Sequence, residues 1–156
     1  MLKNAESQPL TWKMANVARA GNVLIRGELF EISTEGRIVR CRVRVPTRIA
    51  ASAGAEAAQQ MGEWMINNVL RPHSSWLGLI LDTRDGPSVV GPITLSIIQR
   101  VFETAEQSRR PMTVLVAPSA AALFEQFAEL ARRVAPTYGS VTADPDEAIV
   151  SLTDPR

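Results

Sequence analysis

The sequence predicts an α/β fold, a single domain built on a mixed sheet. Three observations point to this class. Two β-type runs open the chain, segments with apolar residues at helical spacing then alternate with short aliphatic runs, and 46% of the 156 residues are apolar, which is enough for one core. Residues 10–156 are expected to form a single domain, and the polar residues 1–9 to form a loose N-terminal segment.

The N-terminal third predicts an antiparallel hairpin. Residues 21–33 and 37–46 have the composition of β-strands and flank a turn at Glu35-Gly36. In the second run arginines alternate with aliphatic residues, which places the arginines on one face and the aliphatic side chains on the core face. Residues 11–19 are a candidate for an additional first strand. The arginines of the polar face are Arg40, Arg42 and Arg44.

Strands and helices alternate in the rest of the chain, which predicts parallel strands that extend the hairpin into one mixed sheet. The first helix has an apolar stripe and stops at Pro72. The almost unbroken apolar run 76–82 is typical of a strand buried on both faces. The stripe consists of Ala58, Met61, Met65 and Val69. The later elements are a helix from Pro92, a strand at 112–118, a helix at 120–134, a short strand at 139–142 and a helix from Pro145.

Two of these helices have capping signals at their starts. Ser119 is expected to be the N-cap of the helix at 120–134. Asp144 at the N-cap, Pro145 at the first helical position and Glu147 three residues after the cap come close to a capping box. Both signals favour helices that begin at these residues.

Composition and charge narrow the classes of function. The net charge of +1 gives the whole molecule no preference for nucleic acid or membrane, although residues 1–50 hold nine basic and four acidic residues. Cys41 is the only cysteine, so neither an intramolecular disulfide nor a Cys-rich metal site is expected. No apolar run reaches the about 18–20 residues of a membrane span, and the N-terminal residues lack the apolar core of a signal peptide. A cytoplasmic location is expected.

The strongest candidate site is the segment that follows the buried strand. Asp82 ends that strand, and Arg84 and Asp85 follow before a loop rich in glycine and proline. A carboxylate at this position is suited to binding a cation or to acid–base chemistry. The alternative is that Asp82 accepts hydrogen bonds from loop N–H groups, while Arg84 and Asp85 are solvated.

Several other chemistries are not expected. A phospho-receiver domain needs a lysine at the end of a later strand, and a P-loop needs a Gly-Lys-Ser/Thr run, but the only lysines are Lys3 and Lys13 near the start of the sequence. His73 is the only histidine, and neither Ser74 nor Ser75 beside it lies in a nucleophile elbow. One histidine and one cysteine do not make a zinc site, so neither a metal nor a cofactor is expected.

The arginine face and the tryptophans are candidates for partner binding. Arginines on one strand face lie about 7 Å apart and suit phosphates, but Glu28 and Glu31 on the partner strand are positioned to pair with them. Phe30 is the only ring in the hairpin, so base stacking is poor and nucleic acid is not expected. Trp64 and Trp76 are expected to pack, and Trp12 is a candidate anchor for self-association.

From residue 20 to 152 the chain resembles a STAS-like domain, the group of the anti-sigma-factor antagonists and the cytoplasmic tails of sulphate transporters. The resemblance lies in a strand ending at Asp82, a loop into a helix, the strand "MTVLVAP", a long helix and the final "DPDEAIVSL". Such domains are mostly non-catalytic interaction modules, and the antagonists carry a phosphorylatable serine in the turn at the start of the helix. Here that turn is Val90-Gly91-Pro92, so no phosphorylation is expected at Gly91-Pro92; Ser88 precedes it, and Thr94 and Ser96 lie inside the helix.

The sequence therefore favours a non-enzymatic regulatory or scaffolding module that binds a protein partner or itself. The expected surface combines the arginine face with Arg84, Asp85, Ser88 and the loop up to Gly91. The alternative is a binder of small anions, or a weak hydrolase, centred on Asp82, Arg84 and Asp85 with the start of the helix at Pro92.

Overall fold

The computed structural model describes residues 22–44 and 51–154. The segment 1–9, the candidate strand at 11–19 and Trp12 lie outside these residues. Within them the chain forms a six-stranded sheet and four helices. The strands are β1 (Asn22–Arg26), β2 (Phe30–Glu35), β3 (Ile38–Val43), β4 (Gly78–Asp82), β5 (Met112–Leu115) and β6 (Gly139–Thr142). The helices are α1 (Ala51–Asn68), α2 (Pro92–Ser108), α3 (Ala121–Val134) and α4 (Pro145–Thr153).

The strands lie in the sheet in the same order as in the chain, from β1 to β6. β1, β2 and β3 pair in antiparallel fashion, and β3 to β6 are parallel, so the predicted mixed α/β sheet is confirmed. One detail differs from the expected hairpin. The run at 21–33 forms two strands, because the chain turns at residues 27–29 and the Gly27 N–H donates to the Phe30 carbonyl at 2.8 Å.

The helices divide unequally between the two faces of the sheet. α1, α2 and α3 bury their apolar stripes in one large core together with alternate residues of β2 to β5. Right-handed crossovers between neighbouring parallel strands place all three connecting helices on that face. Of the four described helices, α4 is the one that packs on the opposite face, where Ala148 and Leu152 cover Ile38, Ile80 and Leu115.

Strand alternation decides which side chains the α4 face carries. On β3, Val39 and Cys41 point into the large core, so Arg40 and Arg42 point to the α4 face. Asp82 is beside Arg42 in the parallel register and shares that face. α4 packs mainly on β4, β5 and β6 and meets β3 at Ile38, so the charged side chains of Arg40 and Arg42 lie beyond it on that face.

The two capping predictions had different outcomes. The Asp144 carboxylate accepts hydrogen bonds from the N–H groups of Asp146 and Glu147, so it is the N-cap of α4 as expected. The Glu147 carboxylate does not close a capping box and instead accepts from Thr142 Oγ1 at 2.7 Å. Ser119 is not the N-cap of α3. The N-cap residue is Ala120, and no side chain accepts a capping hydrogen bond at the start of this helix.

Candidate functional site

Asp82 is the buried root of the loop between β4 and α2. Its side chain is 1% exposed, although it stands at the carboxyl end of a central strand. Arg84 binds both of its oxygens, with Nε 3.0 Å from Oδ1 and Nη2 2.8 Å from Oδ2. The Arg84 backbone N–H also donates to Oδ1, at 3.1 Å. A carboxylate two residues before the N–H that it accepts from is a local turn motif, and here it fixes the chain direction after the strand.

Arg40 supplies a second cation to the same carboxylate. Its Nη1 lies 3.3 Å from Asp82 Oδ2, and its Nη2 lies 3.8 Å from Glu35. Burial alone raises the pKa of Asp82, but the hydrogen bonds and charge of Arg84 and the charge of Arg40 outweigh it and hold the pKa below its usual range. Asp82 is therefore a carboxylate anion at neutral pH.

The four hydrogen bonds use the whole acceptor capacity of Asp82. A carboxylate has about four lone-pair sites, two on each oxygen. Two donors from Arg84 meet Oδ1, while one from Arg84 and one from Arg40 meet Oδ2. A general base or a cation ligand needs a free lone pair, so this arrangement is suited to holding the loop in place.

The remaining charges of this face form a second, more exposed row. Asp85 accepts from Arg42 Nε at 2.9 Å and also from Arg42 Nη2, and the pair raises the pKa of Arg42. Arg26 Nη2 lies 2.8 Å from Glu31. The expected pairing of Glu28 and Glu31 with the arginine face is thus not what the described residues show: Glu31 lies opposite Arg42 in the register but pairs with Arg26.

The positions of the proposed interaction residues follow from these pairs. Arg40, Arg42, Arg84 and Asp85 lie together at the β3–β4 side of the face, each in an ion pair. Arg44 is exposed at the end of the same strand, where its backbone N–H bonds to the Leu29 carbonyl at 2.7 Å. Ser88 is exposed in the loop beyond them.

Beyond Gly86 the loop presents apolar side chains to solvent. The first part is anchored, because Thr83 N–H and Oγ1 both donate to the Leu115 carbonyl and Gly86 N–H donates to Thr83. Val89 then stands 78% exposed, and Ile93 in the first turn of α2 is 58% exposed. The sequence did not lead us to predict that Val89 and Ile93 are exposed. The position of Val89 directly after Pro87 and Ser88, in a loop, was the feature that could have indicated it.

The histidine, the cysteine and the two described tryptophans that the sequence singled out lie in a turn, in the core or against it, and outside the loop after β4. His73 is exposed in a turn with φ of 68°, and Ser74 Oγ accepts from the Trp76 N–H at 3.2 Å. Trp64 and Trp76 are partly buried against the large core. Cys41 is fully buried, and burial raises the pKa of its thiol far above the usual range. Among the described residues no three His, Cys, Asp or Glu side chains gather as a metal site would require.

The chain matches no protein-family model, no curated protein and no solved structure. None of the helices in the described ranges combines the length and the apolar composition needed to cross a membrane. The geometry of the loop and the charged face is accordingly the basis for any statement about function.

Proposed function

We propose that this chain is a STAS-like, non-enzymatic module that acts in the cytoplasm and binds a protein partner through the loop from Asp85 to Gly91 and the first turn of α2. The observation that carries the proposal is the exposure of Val89 and Ile93, at 78% and 58%, on a loop whose root is fixed. Exposed apolar surface rimmed by polar residues is a common feature of sites that bind other proteins. A STAS-like module would have a mixed α/β fold, which is the fold class of the described residues.

The chemistry of the loop root supports a binding module over an enzyme. Asp82 has both oxygens occupied and is buried, so it offers a substrate neither a lone pair nor an open face. The hydrogen bonds and ion pairs around it fix residues 82–86, the start of the loop, and fixing that part lowers the entropy lost when a partner binds. Rigid presentation is useful to a binding surface even where no reaction takes place.

The charged face is expected to contribute specificity more than affinity. Arg40, Arg42 and Arg84 are already paired with carboxylates of the same chain, so an acidic partner has to compete with those pairs. Charges at the rim of an interface mainly steer encounter and reject wrong partners. The apolar loop tip then supplies the contacts that hold the complex together.

The test is capture of a partner by the full chain from an extract of its native cells, followed by reconstitution of the complex from purified proteins. Val89→Asp and Ile93→Asp are each expected to weaken the reconstituted complex by tenfold or more, because each places a charge in the apolar contact. Val150→Asp is the matched control, since Val150 is 52% exposed on α4. Equal affinity of all three variants contradicts the proposed surface.

One observation favours the anion-binding alternative. Gly91 is the N-cap of α2, and no side chain bonds to the first N–H groups of that helix. Inorganic phosphate and sulfate are the probes, and binding at this end raises the melting temperature with increasing anion. A rise that Arg84→Gln removes supports the alternative, and an unchanged melting temperature contradicts it.

A further inference from the structure

The two described edges of the sheet differ in how they meet solvent. β1 has a bulge between Val23 and Ile25 and ends at the charged Arg26, and both features discourage pairing with another chain. β6 has the sequence Gly-Ser-Val-Thr and pairs with β5 in regular register over all four residues. Without charge, proline or bulge, β6 is the described edge that remains able to pair further.

The inner hydrogen bonds of β6 determine which backbone groups face outward. The Met112 N–H donates to the Tyr138 carbonyl at 2.8 Å, and the Val116 N–H donates to the Thr142 carbonyl at 2.9 Å. Because the groups of successive residues alternate in direction along a strand, the N–H and the C=O of Val141 both point away from β5. No described residue hydrogen-bonds to these two groups.

We infer that β6 pairs with β6 of a second copy of the chain, antiparallel about a two-fold axis at Val141. In this pairing each Val141 N–H donates to the Val141 carbonyl of the other copy. The ladder does not extend to Gly139, because the Ala135 carbonyl already occupies the outward side of the strand there. The Gly139 N–H takes no part, because it already donates to the Ala135 carbonyl at 2.9 Å. The contact is the same on both copies and closes as a dimer with one continuous sheet.

Side chains on both faces of the strand suit this pairing. Val141 is partly exposed and packs on the large core, so two copies of it meet as a β-branched pair with Cα atoms about 5.5 Å apart. On the α4 face, the small, uncharged Ser140 of one copy lies opposite Thr142 of the other. Their hydroxyls stay bonded to Thr113 and Glu147 of their own chain, so this face adds contact between small side chains and no new hydrogen bond. The loop at Val89 lies at a different part of the molecule, so the dimer does not depend on the partner surface proposed above.

The short seam predicts weak, reversible association, so the test is concentration-dependent. Sedimentation equilibrium of the full chain is expected to show a monomer–dimer mixture that shifts toward dimer with concentration. Hydrogen exchange of the Val141 amide is expected to slow over the same range. Val141→Pro removes an outward N–H, which edge strands tolerate, together with part of the side-chain packing on the large core. It is expected to remain monomeric at every concentration. Val89→Asp is the matched control and is expected to dimerise like the unchanged chain.

Each outcome decides the inference. A dimer that Val141→Pro abolishes and Val89→Asp keeps, with concentration-dependent protection at Val141, supports it. A monomer throughout, or a dimer that Val141→Pro leaves intact, overturns it. If Val141→Pro does not fold, exchange at Val141 in the unchanged chain decides alone. Loss of partner capture in Val89→Asp without any change in dimerisation separates this inference from the proposed function.

Discussion

Replacement of Asp82 by alanine is expected to destabilise the domain by about 2–3 kcal/mol. The carboxylate is 1% exposed and accepts four hydrogen bonds, so its loss leaves two arginines without their partner. Breaking a fully buried ion pair costs about 3–5 kcal/mol. Here the side chains of Arg40 and Arg84 are 23% and 36% exposed, so water reaches them and the cost falls below that range.

Urea unfolding followed by tryptophan fluorescence measures this loss, and a thermal melt shows it as a drop of about 5–10 °C. Asp85→Ala is the matched control. It removes an ion pair of the same chemistry whose side chains are 48% and 52% exposed, for which less than about 1 kcal/mol is expected. If Asp82→Ala costs no more than Asp85→Ala, the buried root does not hold the loop and the reasoning fails.

Three further predictions concern titration and packing. Because the pKa of Asp82 is lowered in the folded chain, its charge stabilises the fold above about pH 3.9, the unfolded value, and this stabilisation is lost as the pH falls below that value. Asp82→Asn should therefore make the free energy of unfolding depend less on pH in this acidic range. Parallel curves for the variant and the unchanged chain would contradict this prediction. Gly139→Ala should cost about 1–3 kcal/mol in urea unfolding, because its Cβ would lie 2.7 Å from the Ala135 Cβ, whereas Gly27→Ala, with its nearest atom at 3.5 Å, should cost less. Burial raises the pKa of the Cys41 thiol, so iodoacetamide should label it only in denaturant, and rapid labelling of the folded chain would refute this.

The elements of the fold were predictable where a periodic pattern coincided with a clear stop. The apolar run before Asp82 and the stripe of α1 were of this kind, and both elements formed. The division of the first β-run was not predictable, because the turn at Gly27 lies within residues that also suit a strand. Ser119 failed as a cap because the helix begins one residue later than the hydroxyl requires.

The location of the candidate site was predictable from the sequence, but the pairing of its arginines with carboxylates was not. Its position at a strand end after Asp82 followed from the local sequence, and so did the alternation of the arginines on β3. Which carboxylate each arginine binds depends on the parallel register of β3 and β4, which sets Arg42 beside Asp82 and brings Arg40 within 3.3 Å of it. A register that pairs residues 40 positions apart in sequence leaves no local signal, so only the folded chain reveals it.

The order of the strands has a consequence for how the molecule is assembled. Each strand pairs in the sheet with the strand that precedes it in the chain. Its pairing partner has therefore already been synthesised when the strand leaves the ribosome. Short sequence separations between partners keep the loop-closure cost of each step low and favour fast folding. The sheet is therefore expected to grow in one direction during synthesis, and α4, which follows β6 in the chain, is expected to cover the second face after the strands have paired.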